Sequence, residues 1–364
     1  MGFADFYGNG AVVEQLRGML AHQRLPHALI LAGPEGAGKY TLAQMLAKAM
    51  NCLQPPTGPL PDFCGQCRNC SRIAQADDLA ARFTEAVEAR EALRETDKKE
   101  TRILIQTHPD VLVIPPDPPQ MMIKVDQVRH VIGSIYYRPA DGRRRVYIFT
   151  DAAFMKEAAN SLLKVLEEPP DFATLLLLAE NPGSLLPTIR SRSITLRLAP
   201  LPVEQIERDL ASHHPDWSSQ QRALVARLSG GAVGRARAFD LPAFTSSRRD
   251  ALALIQSAVQ AQDHSTLFRI TETYRAGAEG RQKTDQLVRA LYALLEDLLF
   301  LKSSSPTLVR NTDIAAELGE LADSIDFPWI AAAAQRLGEV ESGMRRNLLR
   351  SLSLDAFAAS LERA

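Results

Sequence analysis

Five short apolar runs in the first 200 residues constrain the fold more than any other feature of this sequence. They are His27–Ala32, Val111–Ile114, Val146–Thr150, Thr174–Ala179 and Ile194–Leu198. Each run is almost wholly apolar, which is typical of strands that helices bury on both faces. Because helical patterns separate the runs, the sequence predicts an α/β fold built on a parallel sheet.

A change of pattern after residue 199 indicates further domains, as the length of 364 residues allows. Within the first 199 residues, a helix is predicted over Lys156–Glu168, and Pro169-Pro170 end it. Beyond Pro200 and Pro202 the pattern is entirely helical. We predict an α/β domain over 1–199, a small helical domain over 200–242 and a helical domain over 243–364. A turn or linker around Leu241-Pro242 separates the last two domains, and the third carries an apolar stripe, Leu287, Leu291, Leu294, Leu295 and Leu298.

The charge balance limits the kinds of partner. Lys and Arg number 42 against 43 acidic residues, so the chain does not coat nucleic acid by bulk charge. Arg143-Arg144-Arg145 is either a charged surface loop or a local contact to DNA or to a protein. The sequence has neither an uninterrupted apolar stretch long enough to span a membrane nor the features of a signal peptide. We therefore expect a cytoplasmic protein with no membrane partner.

A glycine-rich loop follows the first predicted strand and opens a helix. Its sequence, Gly33-Pro34-Glu35-Gly36-Ala37-Gly38-Lys39, has the GxxxxGK spacing of a phosphate-binding loop. Such loops continue with Ser or Thr, whose hydroxyl binds Mg²⁺, whereas this chain has Tyr40. Thr41 lies one helical step of about 100° further round and does not simply replace it. Two interpretations stay open: the loop binds a nucleotide such as ATP, with metal coordination weakened, or it is retained without a ligand.

The third predicted strand ends in Asp151, the position of an acidic residue on the Mg²⁺ side of a nucleotide site. In ATP-hydrolysing proteins of this fold a glutamate follows and activates the attacking water. Ala152 follows here, and a methyl group cannot accept a proton. The sequence therefore predicts a poor ATPase on its own residues.

All four cysteines of the chain lie in one short window, Cys52, Cys64, Cys67 and Cys70. Four thiolates can close a tetrahedral zinc site, and Gly65 permits the tight turn between ligands. A closed site of this kind is structural, and it would hold an insertion too short to bury its own core. Free core thiols and a redox dithiol are the alternatives.

Two further segments have open interpretations. Asp77–Thr101 is rich in Ala, Glu, Arg and Lys, and is either a solvated helical insertion or a helix that binds a partner. Arg192 leads into the last predicted strand. It either completes the active site of a neighbouring molecule or pairs with a local carboxylate.

At this point the motifs resemble a known family. The sequences Asn160-Ser-Leu-Leu-Lys-Val-Leu-Glu-Glu-Pro-Pro170 and Leu186-Pro-Thr-Ile-Arg-Ser-Arg192 are similar to those of bacterial clamp-loader subunits, which are AAA+ proteins of the DNA polymerase III holoenzyme. The cysteine cluster, Ala152 and the lack of a long C-terminal extension favour the delta-prime group over the tau/gamma group. Arg346-Asn347-Leu348-Leu349 resembles a stretch near the end of the family's collar domain.

The resemblance implies roles by position. It implies an AAA+ P-loop domain with a zinc-binding insertion, a helical lid and a C-terminal helical collar that joins subunits. Arg192 matches an arginine finger acting in trans, although the family usually has Cys where Ser193 stands. Arg235 matches the lid arginine that senses nucleotide, and Lys39 with its preceding glycines matches the P-loop.

The implied partners are tau/gamma and delta subunits in a hetero-oligomeric ring, the sliding clamp, and primed DNA through the assembled complex. The leading hypothesis is a non-hydrolysing clamp-loader subunit. A self-sufficient tau/gamma-like ATPase and a zinc-stabilised DNA-binding module without a motor partner are the alternatives.

Overall fold

One mixed sheet organises the first part of the chain. The computed structural model describes residues 2–260, 277–345 and 353–357. Its strands are β1 (Ala28–Ala32), β2 (Ile105–His108), β3 (Val111–Ile114), β4 (Arg145–Phe149), β5 (Ala173–Ala179) and β6 (Ile194–Arg197). They lie in the order β2-β3-β4-β5-β1-β6. All neighbours pair in parallel except β2, which runs antiparallel to β3.

Alternate strand residues divide between two helical layers. The helices of this part are α1 (Gly10–Ala21), α2 (Lys39–Asn51), α3 (Arg68–Ala74), α4 (Leu79–Glu91), α5 (Glu95–Glu100), α6 (Val125–Ile135), α7 (Lys156–Glu167) and α8 (Pro187–Arg190). Leu29 and Leu31 belong to the core beneath α1, α2 and α3. Ala28 and Ile30 belong to the core beneath α6 and α7. Both faces of β1 are therefore buried, which explains its continuous apolar sequence.

Five of the strands have ends within one residue of those predicted, and the predicted order of α/β followed by all-α is confirmed. The strand β2 was not predicted. It makes the sheet mixed, while the other five strands form the predicted parallel sheet. Only two of the four residues of this edge strand, Ile105 and His108, are buried, and Gln106 is exposed. Its apolar signal is correspondingly weak.

The charged insertion forms α4 and α5, so its predicted helical character is confirmed. It is also anchored to the domain. Arg90 of α4 is buried and makes a 2.6 Å ion pair with the fully buried Asp117. Lys124 lies 3.3 Å from the same carboxylate, and Phe83 packs against the core beneath α2. The insertion is therefore solvated on one side and attached on the other.

The remaining helices are α9 (Val203–His213), α10 (Ser219–Leu228), α11 (Val233–Arg237), α12 (Leu241–Gln260), α13 (Gly277–Lys302), α14 (Ala315–Ser324) and α15 (Phe327–Arg345). The leucine stripe predicted for this region lies on α13 and is buried against α12, α14 and α15. The turn or linker predicted around Leu241-Pro242 lies just before these residues, at 238–240. Both residues lie in the first turn of α12, where proline needs no hydrogen-bond donor.

By contacts the chain forms two compact units, residues up to 202 with 231–235, and residues 203–230 with 236–364. The predicted domains over 1–199, 200–242 and 243–364 stay a prediction. Arg346–Leu349, which carried the resemblance to a collar domain, lies outside the described residues. Within the described ranges, no helix combines the length and the apolar character needed to cross a membrane.

Removal of the Arg90 guanidinium tests how firmly the insertion is attached. We expect Arg90→Ala to lower the free energy of unfolding by about 3 kcal/mol, because the buried Asp117 carboxylate loses its closest counter-charge. Chemical denaturation measures the change. Arg82→Ala, on the same helix with an exposed partner in Glu85, is the control and should cost less than about 0.5 kcal/mol. Equal effects of the two substitutions would contradict a buried anchor.

Candidate nucleotide cleft and metal centre

Seven of the eleven predicted nucleotide residues line one cleft at the carboxyl ends of β1, β4 and β5. The cleft has a volume of about 700 Å³. Its lining includes the predicted residues Glu35, Gly36, Gly38, Lys39, Tyr40, Thr41 and Asp151. The crevice outside the carboxyl ends of parallel strands is the usual ligand site of such sheets.

The tip of the glycine loop is in contact with the segment that carries Arg235. Gly36 has φ +79°, and a Cβ built there would lie 2.6 Å from the backbone nitrogen of Arg235. The N–H of Gly234 donates to the carbonyl of Gly36 at 2.8 Å. The Arg235 guanidinium lies 3.5 Å from the Glu35 carboxylate. The predicted lid arginine is therefore paired with a residue of the loop itself.

Lys39 begins α2 and folds back over the loop. Its amine donates to the carbonyls of Gly33 and Pro34, at 2.6 and 2.8 Å. Burial lowers the pKa of Lys39, and the nearby Glu180 carboxylate opposes this shift. The amine is thus held at the base of the cleft, while Ala37 is buried on the core side of the loop.

In a phosphate loop, Ser or Thr uses its hydroxyl to bind Mg²⁺. The hydroxyl of Tyr40 instead makes hydrogen bonds within the domain. The phenol donates to the carbonyl of Ala76 at 2.5 Å and accepts from the amide of Gln44 at 2.6 Å. Burial raises the pKa of the Tyr40 phenol. Ala76 lies just beyond α3, so this side chain ties the loop helix to the segment that follows the cysteines. Thr41 is exposed and also lines the cleft.

The cleft has more negative than positive side chains. Asp151 is exposed at the end of β4, where it accepts from the N–H of Ala153 at 3.2 Å. Ala152 is buried and presents no proton acceptor. Three carboxylates influence the Lys39 amine electrostatically, namely Glu180, Glu35 and Asp151, against one other cation, Arg235. A bare triphosphate would add charge of the sign already in excess.

The sequence analysis missed Glu180 and Asn181, which follow β5 and line the cleft. The carboxamide of Asn181 accepts from the N–H of Gly183 at 2.8 Å and so shapes the turn. A usable signal was available, because these are the first polar residues after a buried strand. The pairing of β5 with β1, which brings these residues beside the glycine loop, was not predicted from the sequence.

The four cysteines converge at the far end of α2. Their Sγ atoms all lie within 4.8 Å of one another. The sulfur of Cys52 is 3.5 Å from that of Cys64 and 4.0 Å from that of Cys67. Tetrahedral ligation with metal–sulfur bonds of 2.3 Å places sulfurs about 3.8 Å apart. The geometry therefore fits one metal ion held by four thiolates.

The backbone around the cysteines already stabilises negative sulfur. Burial opposes ionisation of Cys67, but hydrogen bonds to its sulfur, including one from the Cys70 backbone, outweigh this and lower its pKa to about 6. Burial raises the pKa of the Cys52 and Cys70 thiols. The N–H groups of Cys64 and Cys67 donate to neighbouring sulfurs at 3.3 and 3.2 Å. Such bonds are typical of loops that present several thiolates to one ion.

Arg192 is not among the residues that line the cleft. It follows α8, and its guanidinium lies 2.9 Å from the Glu167 carboxylate at the end of α7. A second nitrogen donates to the carbonyl of Thr188 at 3.1 Å. The local ion pair foreseen as one of two alternatives is present, and the side chain keeps 35% of its surface exposed. Ser193, where a cysteine was expected, donates to the Ile189 carbonyl at 2.8 Å.

The three arginines of the run 143–145, which ends at the first residue of β4, have different contacts. Arg145 is half-buried and donates to the carbonyl of Ser134 at 3.0 Å. Arg144 donates to the carbonyl of Asp171 at 3.2 Å, while Arg143 is exposed. A contact to DNA or to a protein through this run stays a prediction.

Comparison with known proteins places the chain in a family. The family model for DNA polymerase III, delta subunit, matches residues 8–202, more than half of the chain. The chain belongs to this family. The resemblance to clamp-loader subunits that the motifs carried is thereby confirmed at the level of the family.

Individual relatives come from two groups of DNA polymerase III subunits. Subunit delta′ of Pseudomonas aeruginosa is 33% identical over 63% of this chain and 60% of its own length. Subunit tau of Escherichia coli is 28% identical over 92% of this chain and 42% of its own length. The alignments to this family member thus cover less than half of the length of the first tau relatives. A gamma subunit-related protein of Thermotoga maritima superposes with TM-score 0.42 and 17% identity, over 95% of this chain and 98% of that one.

Tyr40→Phe tests the link between the loop helix and the segment after α3. We expect the free energy of unfolding to fall by about 1–2 kcal/mol, because the Ala76 carbonyl and the Gln44 amide lose their partner. Chemical denaturation measures this. Tyr137→Phe, at an exposed tyrosine, is the matched control and should change stability by less than about 0.5 kcal/mol. A Tyr40→Phe variant as stable as this control would contradict the structural role.

Proposed function

We propose that the chain is a non-hydrolysing, delta-prime-type subunit of the DNA polymerase III clamp loader. It helps to load the sliding clamp onto primed DNA and donates Arg192 to the ATPase site of a neighbouring subunit. The observation that carries the proposal is the engagement of the Tyr40 hydroxyl by the Ala76 carbonyl. This engagement leaves position 40 without an oxygen for Mg²⁺.

Three further features of the cleft support the absence of hydrolysis. Ala152 is buried where hydrolysing relatives carry a general base. The Lys39 amine is engaged by carbonyls of its own loop. Arg235, the proposed nucleotide sensor, is paired with Glu35. On this proposal ATP binding is weak or absent, and the loop serves mainly to shape the subunit.

The partners follow from the family role. The proposed assembly is a ring of tau/gamma and delta subunits joined through the helical region 243–364, with 200–242 as the lid. Primed DNA and the sliding clamp are bound by the assembled complex. The charge balance of the chain supports this division, because a lone chain with net charge −1 gains little from bulk electrostatic attraction to DNA.

Replacement of Arg192 tests the contribution in trans. We expect Arg192→Ala to leave folding and assembly intact and to lower the DNA- and clamp-stimulated ATPase of the complex by about tenfold or more. An arginine finger contributes about 10³–10⁵ to the rate at the site that it serves. Steady-state ATPase of the purified complex, with assembly checked by gel filtration, measures the effect. Unchanged ATPase in a correctly assembled complex would remove the proposed role.

The tau/gamma-like alternative retains one supporting observation, the alignment to tau subunits over nearly the whole chain. Steady-state ATP turnover by the purified single chain, abolished by Lys39→Ala, would favour it over our proposal. Tight, salt-sensitive binding of DNA by the lone chain would instead favour a DNA-binding module.

We propose zinc as the ion held by Cys52, Cys64, Cys67 and Cys70. Zinc suits four thiolates in a closed site, and it would supply structural cross-linking only. Apart from cysteines, Phe63 is the only buried apolar side chain of the loop 52–70, and the metal would hold this loop against α2. The backbone N–H groups of Cys64 and Cys67 contact the sulfurs, while Asn69 fixes the loop by donating to the carbonyl of Asn51 at 3.0 Å.

Metal analysis tests the zinc proposal. We expect the purified chain to contain about one equivalent of zinc, and Cys67→Ser to lose it and to melt about 10 °C lower, which corresponds to about 3 kcal/mol. Ser71→Ala, on the exposed side of α3, is the control and should keep the metal. Zinc below about half an equivalent in protein prepared without chelators would contradict the proposal.

A further inference from the structure

The last turn of α7 ends in two adjacent acidic residues, Glu167 and Glu168, which the proposed function does not use. Both are exposed. Acidic side chains at the C-terminal end of a helix are disfavoured by the helix dipole. Of these two glutamates, Glu167 alone makes an ion pair within the described part of the chain, and its partner is Arg192 at 2.9 Å.

The backbone at Arg192 is fixed from within the domain. Ile189, three residues earlier, is fully buried. Its carbonyl accepts from the N–H of Arg192 at 3.2 Å and from the hydroxyl of Ser193 at 2.8 Å. The Cα position of Arg192 is therefore set by the core, and the long side chain is the remaining source of freedom.

Two contacts orient that side chain without using all of its donors. One terminal nitrogen of the guanidinium contacts Glu167, and the other donates to the carbonyl of Thr188. Arginine has five N–H donors in a rigid fork. The N–H at Nε and one hydrogen on each terminal nitrogen therefore take no part in these two bonds. A fork held in this way can still contact a phosphoryl group from its exposed side.

We propose that Glu167 is a positioning residue for Arg192, holding the guanidinium in one orientation so that its remaining donors can contact a phosphoryl group bound by a neighbouring subunit. The inference rests on the proposed function, since it gives Arg192 a target in trans. Glu167 itself touches no nucleotide in this scheme. The ion pair with Glu167 restricts the side-chain conformations of Arg192 in advance, so less conformational entropy is lost when Arg192 contacts the phosphoryl group.

The expected effect is modest because the ion pair is exposed. Exposed ion pairs change equilibria by up to about fivefold. We therefore expect Glu167→Ala to lower the stimulated ATPase of the assembled complex by about two- to fivefold. Glu167→Gln keeps an oxygen that can accept from the guanidinium, and should fall between Glu167→Ala and the unsubstituted chain. The effect should appear in kcat, with the KM for ATP unchanged, because the neighbouring subunit binds the nucleotide.

The experiment compares the complex containing the unsubstituted chain with complexes containing Glu167→Ala, Glu167→Gln or Glu168→Ala, each also combined with Arg192→Ala. Glu168→Ala is the matched control, since it removes an adjacent exposed carboxylate that makes no ion pair in the described residues. If Glu167 acts through Arg192, its substitution has no further effect once Arg192 is alanine. Gel filtration and thermal melting verify that every complex is assembled and folded.

Each outcome decides one question. A kcat loss for Glu167→Ala that disappears in the Arg192→Ala background supports the inference. Loss that persists in that background, an increase in kcat, or a change equal to that of Glu168→Ala overturns it. If Arg192→Ala alone leaves the ATPase unchanged, the proposed function fails first, and this result is distinct from a normal Arg192 effect without a Glu167 effect.

Discussion

The single helix α2 connects the features on which the rest of the site depends. Lys39 lies at its first residue, beneath the glycine loop, and Cys52 follows its last. Between them, Tyr40 bonds to the Ala76 carbonyl, and the largely buried Lys48 pairs with Asp77 at 2.5 Å. The candidate phosphate loop and the candidate metal loop are therefore two ends of one rigid element.

This arrangement gives a physical reason for the unusual residue at position 40. A serine or threonine would be too short to reach the segment after α3, whereas a tyrosine spans the distance and fills the space with an apolar ring. The same substitution removes the hydroxyl that a nucleotide-bound Mg²⁺ would use. In the proposed function, this one side chain attaches the segment after the cysteines and also leaves position 40 without a hydroxyl for a nucleotide-bound Mg²⁺.

Arg192, the residue proposed to act on a neighbouring subunit, lies away from the cleft, on the segment from α7 to β6. There the core fixes the backbone through Ile189, while exposed groups orient Arg192. In the proposed function, a chain that does not hydrolyse ATP itself would still offer Arg192 to the ATPase site of a neighbouring subunit. The two regions are separate surfaces of one α/β unit, so change in one need not disturb the other.

The sequence by itself determined the strands that are buried on both faces, the buried leucine stripe of α13 and the spacing of the four cysteines. These features depend on local periodicity or on ligand chemistry, which sequence neighbours are sufficient to express. Only the tertiary structure decided the antiparallel edge strand β2, the order that brings Glu180 beside Lys39, and the partners of Tyr40, Arg90 and Arg192. Each of these depends on contacts between segments far apart in the chain. A buried charge or hydroxyl needs a partner, and the partner comes from a distant segment in these contacts. The local sequence around either residue therefore does not predict the pair.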